Sequence, residues 1–295
     1  MTACLQQYNT CQPCVNNCPH NHYCMSHGCG MATCDSCMTM IQRGNAPAFT
    51  YTCKKITYHY VLRFLNRFAS EIASAMHGIN FGNATKMNVI SLGCGPGSEV
   101  YGIIKALRNR NLRIALDYQG YDLNYVWNDV IYLSKTALAN TGHRIEFYQQ
   151  DMFSSFVGFP REKVNLLILN YLLSDVEKFS SRVDKSQVKT FIGNLAWFIL
   201  INNVRNILFN DNNYYGNDGE LDSGVQLMLQ LIDELRSWGL QPQVKYLCFQ
   251  GDPRRGNQPW LWYNTNHLLF TPLPNNHLCR NINCCRSKQI FIHIN

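Results

Sequence analysis

The run Val89-Ile90-Ser91-Leu92-Gly93-Cys94-Gly95-Pro96-Gly97-Ser98-Glu99 constrains this chain more than any other stretch. An apolar segment, Met87 to Leu92, ends in three glycines at alternate positions. A segment of helical period follows, with Val100, Ile103, Ile104 and Leu107 on one face. That pattern predicts a buried strand, a glycine turn and a helix. A Cβ in such a turn would block its tight path and hold a ligand away from the backbone. The unpaired N–H groups at the helix start then face whatever binds there.

Beyond the turn the patterns alternate. Strands are expected over 114–122, 145–150, 164–170, 206–209, 244–249 and 267–271. Helices are expected around 125–138, 185–200 and 225–238. With the strand before the turn, the count is seven. Alternating strand and helix patterns imply a doubly wound, mostly parallel α/β sheet. No helical pattern separates the last two strands, so the final one is expected to be antiparallel. Ahead of the sheet, 54–76 reads as a helix with Tyr58, Val61, Leu62, Leu65, Phe68, Ala69 and Ile72 on one stripe.

The glycine turn resembles the first motif of the class I S-adenosylmethionine (SAM) dependent methyltransferases, and the resemblance extends from about Met87 to Pro272. It implies that Gly93, Cys94, Gly95 and Gly97 approach the methionine and ribose parts of SAM. Many members carry an acid two places before the first glycine; here that residue is Ser91, for which Glu99 or a backbone carbonyl could substitute. Asp122 ends the second strand, where a carboxylate accepts both ribose hydroxyls. Asp151 ends the third, where an acid in this family accepts from the adenine amino group. Leu123 and Met152 would flank the adenine. Asn170 ends the fourth strand beside the departing methyl group, and Asn170 and Tyr171 are the candidate catalytic, acceptor-orienting pair. The helix at 54–76 resembles the extra N-terminal helix that many members lay over the SAM pocket. The competing dinucleotide fingerprint fails, because its third glycine would fall on Ser98.

Residues 1–53 form a separate block with twelve cysteines and histidines. Few large apolar residues lie among them, so burial alone cannot hold this block together. Cys11-x-x-Cys14 and Cys34-x-x-Cys37 have zinc-ribbon-type spacing. Two thiolates two residues apart on a turn can reach one ion at about 2.3 Å. The candidate zinc ligands are Cys11, Cys14, Cys18, His20, Cys24, His27, Cys29, Cys34 and Cys37, with their partition among ions open. Zinc is favoured over disulfides because no export signal is visible, which places the chain in a reducing cytoplasmic or nuclear compartment.

The expected organisation is thus a metal module over 1–53, a helical lead-in over 54–86, a methyltransferase domain over 87–273 and a cysteine-containing tail over 274–295. The net charge of +7 is compatible with an anionic partner. With the zinc module, Arg254-Arg255 and the rings of Trp260, Trp262 and Tyr263, it points to a nucleic-acid substrate, RNA first. A protein substrate and a catalytically inactive interaction module are the alternatives. The family motifs for adenine-amino, ribose, arginine and cytosine carbon-5 methylation are not in register.

Overall fold

The computed structural model describes residues 1–10, 34–35, 37–38, 54–151, 163–180, 185–211, 223–249, 259–271, 273 and 284–295. In chain order the helices are α1 (Thr2–Thr10), α2 (Lys54–Met76), α3 (Ser98–Asn109), α4 (Asn128–Leu138), α5 (Leu173–Ser180), α6 (Lys185–Ile201) and α7 (Ser223–Ser237). The strands are β1 (Lys86–Leu92), β2 (Ala115–Asp122), β3 (Arg144–Gln149), β4 (Leu166–Asn170), β5 (Asn206–Asp211), β6 (Pro242–Cys248), β7 (Leu261–Trp262) and β8 (Lys288–Ile294).

The eight strands form one sheet in the order β3-β2-β1-β4-β5-β8-β6-β7. Strands β1 to β5 pair in parallel, and β8 is antiparallel to both of its neighbours, β5 and β6. The strand order reverses between β1 and β4. In an open α/β sheet that reversal opens a crevice at the carboxyl ends of the strands, where ligands bind.

Alternation along the strands builds the core on both faces. In β4, Leu167 and Leu169 join the cluster with α6 and α7, including Phe191, Leu195, Phe198 and Leu231. Leu166 and Ile168 join the opposite cluster with α2 and α3, including Ile72, Met76, Val100 and Ile103. A strand covered on both faces reads as an unbroken apolar run, as β4 does. Helix α2 lies very close to α3: a Cβ on Gly102 would sit 2.5 Å from the Ala69 carbonyl oxygen. All seven residues of the predicted α2 stripe are buried. The polar Thr57, His59, Asn66, Ser70 and Glu71 are buried as well.

Two expectations about the end of the chain are corrected. The antiparallel strand is β8, inside the segment read as a tail, and not 267–271. The domain therefore extends past residue 273. Ile290, Ile292 and Ile294 alternate with Phe291 and His293, so β8 contributes side chains to both core clusters. Residue His267 makes only an isolated bridge to Cys284. The N–H groups of Leu269 and Phe270 turn instead to the Ser70 hydroxyl at 2.8 and 3.3 Å. The sheet has eight strands and not seven, because Leu261–Trp262 adds a short parallel edge to β6.

No helix among the described residues is long and apolar enough to cross a membrane.

Candidate active site

The glycine turn folds as its composition dictates. Gly93, Gly95 and Gly97 have φ of 62, 49 and 73°, in the left-handed region. The Gly97 N–H closes the turn on the Cys94 carbonyl at 2.9 Å. A Cβ on Gly97 would sit 2.6 Å from the Phe147 ring. Helix α3 then begins with no side-chain cap, and Ser98 faces a cleft of about 240 Å³ at the strand reversal.

One end of the cleft is built by Gly93, Cys94, Gly95, Asp122, Leu123 and Asn124. Asp122 does two jobs. Its Oδ2 accepts from the Gly95 N–H at 2.9 Å and its Oδ1 from the Asn124 N–H at 2.8 Å. The carboxylate thus ties the end of β2 to the glycine turn. The residue lines the cleft. Burial pushes its pKa up against the pull of those two N–H groups. Leu123 is 59% exposed at the rim.

Ser91 and Glu99 are adjacent but stand behind the turn and do not line the cleft. The Glu99 carboxylate is fully buried and accepts from Ser91 Oγ at 2.5 Å, Tyr118 Oη at 2.8 Å and Ser98 Oγ at 3.3 Å. Burial raises its pKa, and the four hydrogen bonds it accepts, from Ser91, its own backbone, Tyr118 and Ser98, oppose the rise. Glu99 therefore occupies the polar space that an acid at position 91 would fill, and props the turn from below. Asp151 is half-buried beyond β3 and is not among the described lining residues; Met152 lies outside the described residues.

Asn170, Tyr171, Leu172 and Asp175, after β4, also line the cleft, as do Tyr60 and Trp127, whose indole stands beside Gly95. The structure brings both members of the predicted acceptor pair here. Tyr171 has a φ of 55°. Its ring packs on Phe68 at 4.0 Å between centroids. Its phenol accepts from Arg67 Nη2 at 2.6 Å and donates to Glu71 Oε2 at 2.8 Å. Burial pushes that phenol well above its ordinary range. Tyr171 is thus a wall residue whose hydroxyl is committed to α2.

Sequence reasoning missed what lies beneath. Glu71, fully buried, pairs with Arg67 Nε at 3.1 Å and accepts from the Arg286 N–H at 2.9 Å. It also fixes the direction of a line of amides. An ionised carboxylate only accepts, so the Asn210 group 3.3 Å from Glu71 Oε2 is its Nδ2. That Nδ2 also donates to Asn170 Oδ1 at 2.8 Å. Asn210 Oδ1 accepts from Gln289 Nε2 at 2.8 Å, and Gln289 Oε1 accepts from Tyr263 Oη at 2.5 Å. Asn170 is left with its Nδ2 directed to Ser98 Oγ at 3.3 Å, and the residue lines the cleft. Ser98 donates in turn to Glu99. Every hydrogen bond runs one way, from Tyr263 to the carboxylate under the glycine turn. The available signal was a set of polar residues at strand ends, Asn170, Asn210 and Gln289, amid apolar runs.

The aromatic run near residue 260 serves the fold. Trp260 is buried edge-on to Tyr246 at 5.4 Å, and Tyr263 stacks on Phe249 at 4.3 Å. Leu261 is the exposed residue of the run. Arg254 and Arg255 lie outside the described residues.

Of the nine metal candidates, Cys11, Cys14, Cys18, His20, Cys24, His27 and Cys29 lie outside the described residues. Cys34 and Cys37 are described, both buried on helical backbone. Between them Asp35 pairs with Arg63 and with His59 Nε2 at 3.2 Å. Among the described residues no group of three or more His, Cys, Asp or Glu is arranged to hold a metal ion. Two thiols do not make a tetrahedral zinc site on their own.

No protein-family model and no curated protein matches the chain. Solved structures do. One is a segment named StiE O-MT, at 14% identity and a TM-score of 0.37, covering 59% of this chain and 51% of its own. Magnesium protoporphyrin IX methyltransferase (ChlM) from Synechocystis, solved with bound SAM, is 11% identical with a TM-score of 0.41, covering 77% of this chain and 78% of its own. A protein from Listeria monocytogenes assigned to the class I SAM-dependent methyltransferases is 10% identical with a TM-score of 0.45, covering 78% of this chain and 59% of its own. The chain thus spans little more than half the length of the first and third.

Proposed function

We propose that this chain is a SAM-dependent methyltransferase. The observation that carries the reading is the cleft at the strand reversal. There a left-handed glycine turn, the N-terminus of α3 and a carboxylate at the end of β2 converge on one volume. Gly93 to Gly97 would receive the methionine part and Asp122 the ribose hydroxyls. The sulfonium of SAM supplies an already activated methyl group. What remains for the chain is to align the acceptor, remove its proton and exclude water. Beyond the glycine turn the cleft lining offers Asn170 and Asp175 for that work, and the rings of Tyr60 and Trp127, the latter beside Gly95, cover it.

The proposed acceptor class is nucleic acid, RNA first. The formal charge of +7 supports it, together with the cysteine- and histidine-rich block, for which we propose zinc binding and substrate docking. With the rings of Trp260 and Tyr263 taken up by packing, the docking role falls to that block and to Arg254-Arg255.

The test is calorimetry for SAM, followed by tritiated-methyl transfer into separated RNA, DNA, protein and small-molecule fractions. Binding with label in RNA supports the whole reading. Label in protein or small molecules keeps the methyltransferase and removes the RNA. No SAM binding by the folded chain overturns it.

A further inference from the structure

Resting on the methyltransferase reading, we infer that the acceptor atom is a hydroxyl oxygen, held by the Asn170 amide N–H and deprotonated by the Asp175 carboxylate. Asn170 cannot turn its carbonyl to the acceptor, because Asn210 Nδ2 occupies Oδ1 at 2.8 Å and Glu71 fixes the direction of Asn210. The cleft therefore meets a donor at Asn170. Asp175, in the first turn of α5 five positions on, lines the same cleft and brings a carboxylate.

Acceptors differ in how they fit a donor and a carboxylate together. A protonated amine has only hydrogens to offer and confronts the Asn170 N–H with another donor. A neutral amine has one lone pair, which the attack itself needs. A hydroxyl oxygen has two lone pairs and one hydrogen. One lone pair accepts from Asn170, the other faces the methyl carbon, and the hydrogen points to Asp175. In the transfer the O–H bond breaks and its proton passes to Asp175. A bond forms from the oxygen to the methyl carbon, and the bond from that carbon to sulfur breaks with its electron pair staying on sulfur. The products are a methyl ether, S-adenosylhomocysteine and a protonated Asp175, which returns its proton to water. Tyr60 and Trp127, edge-to-face at 5.2 Å and both lining the cleft, make an aromatic wall against which a flat ring carrying or adjoining the hydroxyl would pack. A ribose hydroxyl beside its base and a free phenol share this chemistry.

The experiment supplies the full chain with tritiated-methyl SAM and three acceptors in turn: an in-vitro RNA transcript, catechol and benzylamine. Hot hydriodic acid then releases the methyl of an ether as methyl iodide. The expected result is label released from RNA or catechol and no label in benzylamine. Alkali-resistant dinucleotides mark the ribose hydroxyl as the source, and labelled catechol marks the free phenol. Asp175→Asn should lower the rate about 100-fold, as loss of a general base does, with SAM affinity unchanged. Asn170→Asp, which replaces the donor with an acceptor, should also lower it. Label fixed on a nucleobase or on benzylamine overturns the hydroxyl assignment. So does SAM binding with no label in either hydroxyl acceptor, an outcome that leaves the methyltransferase reading standing. Absence of SAM binding is the separate failure of that reading. A wild-type rate in Asp175→Asn removes Asp175 from the step.

Discussion

The two ends of the cleft are built on different principles. The cofactor end is local. Gly93, Gly95, Gly97 and Asp122 lie within thirty positions, and a single carboxylate binds the β2 end to the turn. The acceptor end is assembled from afar. Glu71 meets Tyr171 across 100 positions, Asn210 across 139, and its own carbonyl meets Gln289 across 218. A local motif can be carried between proteins as a unit. A long-range network belongs to one fold with one set of neighbours, and it is there that the proposed acceptor would be selected.

The difference predicts unequal sensitivity, and the largest effect belongs to the long-range end. Glu71→Gln leaves the Arg67 guanidinium without its countercharge in a buried site. Breaking such a pair costs about 3–5 kcal/mol, read from urea unfolding. A loss below 1 kcal/mol would dissolve the contrast between the two ends.

At the cofactor end, Asp122→Ala should weaken SAM binding by about 1.5–3 kcal/mol, the range for hydrogen bonds to a charged group. Calorimetry on the folded variant measures it, and unchanged affinity rejects Asp122 as the ribose ligand. Gly97→Ala comes next. It combines a left-handed φ with the Phe147 contact and should cost about 1–3 kcal/mol of stability. Gly95→Ala, whose nearest neighbour would be Trp127 at 3.7 Å, carries the backbone strain alone. Equal losses in the two variants would remove the Phe147 contact from the account.

The smallest effect is a slope. Burial holds the Glu99 pKa above its ordinary value of 4.5. The folded state therefore binds more protons than the unfolded one as pH rises above 4.5, and stability falls across that window until the raised value is passed. Glu99→Gln should flatten this segment of the pH–stability curve. Urea midpoints from pH 4.5 upward compare the two chains, and parallel curves would take Glu99 out of the titration.

Legibility in the sequence follows the same division. The glycine turn, β1 to β6 and the apolar stripe of α2 were readable because each is a period within one window. Leu173–Ser180, sitting between β4 and a longer helix, was not resolved as a helix of its own. Glu71 looked like an ordinary polar position of an amphipathic helix, since nothing within a turn of it shows that α2 is buried nearly all round. Strand β8 opens with Lys288 and Gln289, preceded by Ser287, all three buried, which masks the Ile290-x-Ile292-x-Ile294 alternation behind them. Their partners lie on β5 and β6, and no window holds both. Asp175 belongs to no motif in the sequence, and only the cleft singles it out.

The position of β8 has a consequence for the order in which the sheet assembles. Strands β1 to β3 are joined by single crossovers and can pair as they meet, as can β4 and β5, whereas β4 reaches β1 across 73 residues. The β8 strand enters between β5 and β6 only after a loop of 76 residues from the end of β5 has closed. Loop-closure entropy makes such long-range pairings late and slow. Until then β5 and β6 each present an open edge, a template for pairing with another chain. Gln289 arrives with β8, so the line of amides behind Asn170 is completed last. The half of the sheet that holds the cofactor turn is expected to gain amide-exchange protection before the half that shapes the acceptor end.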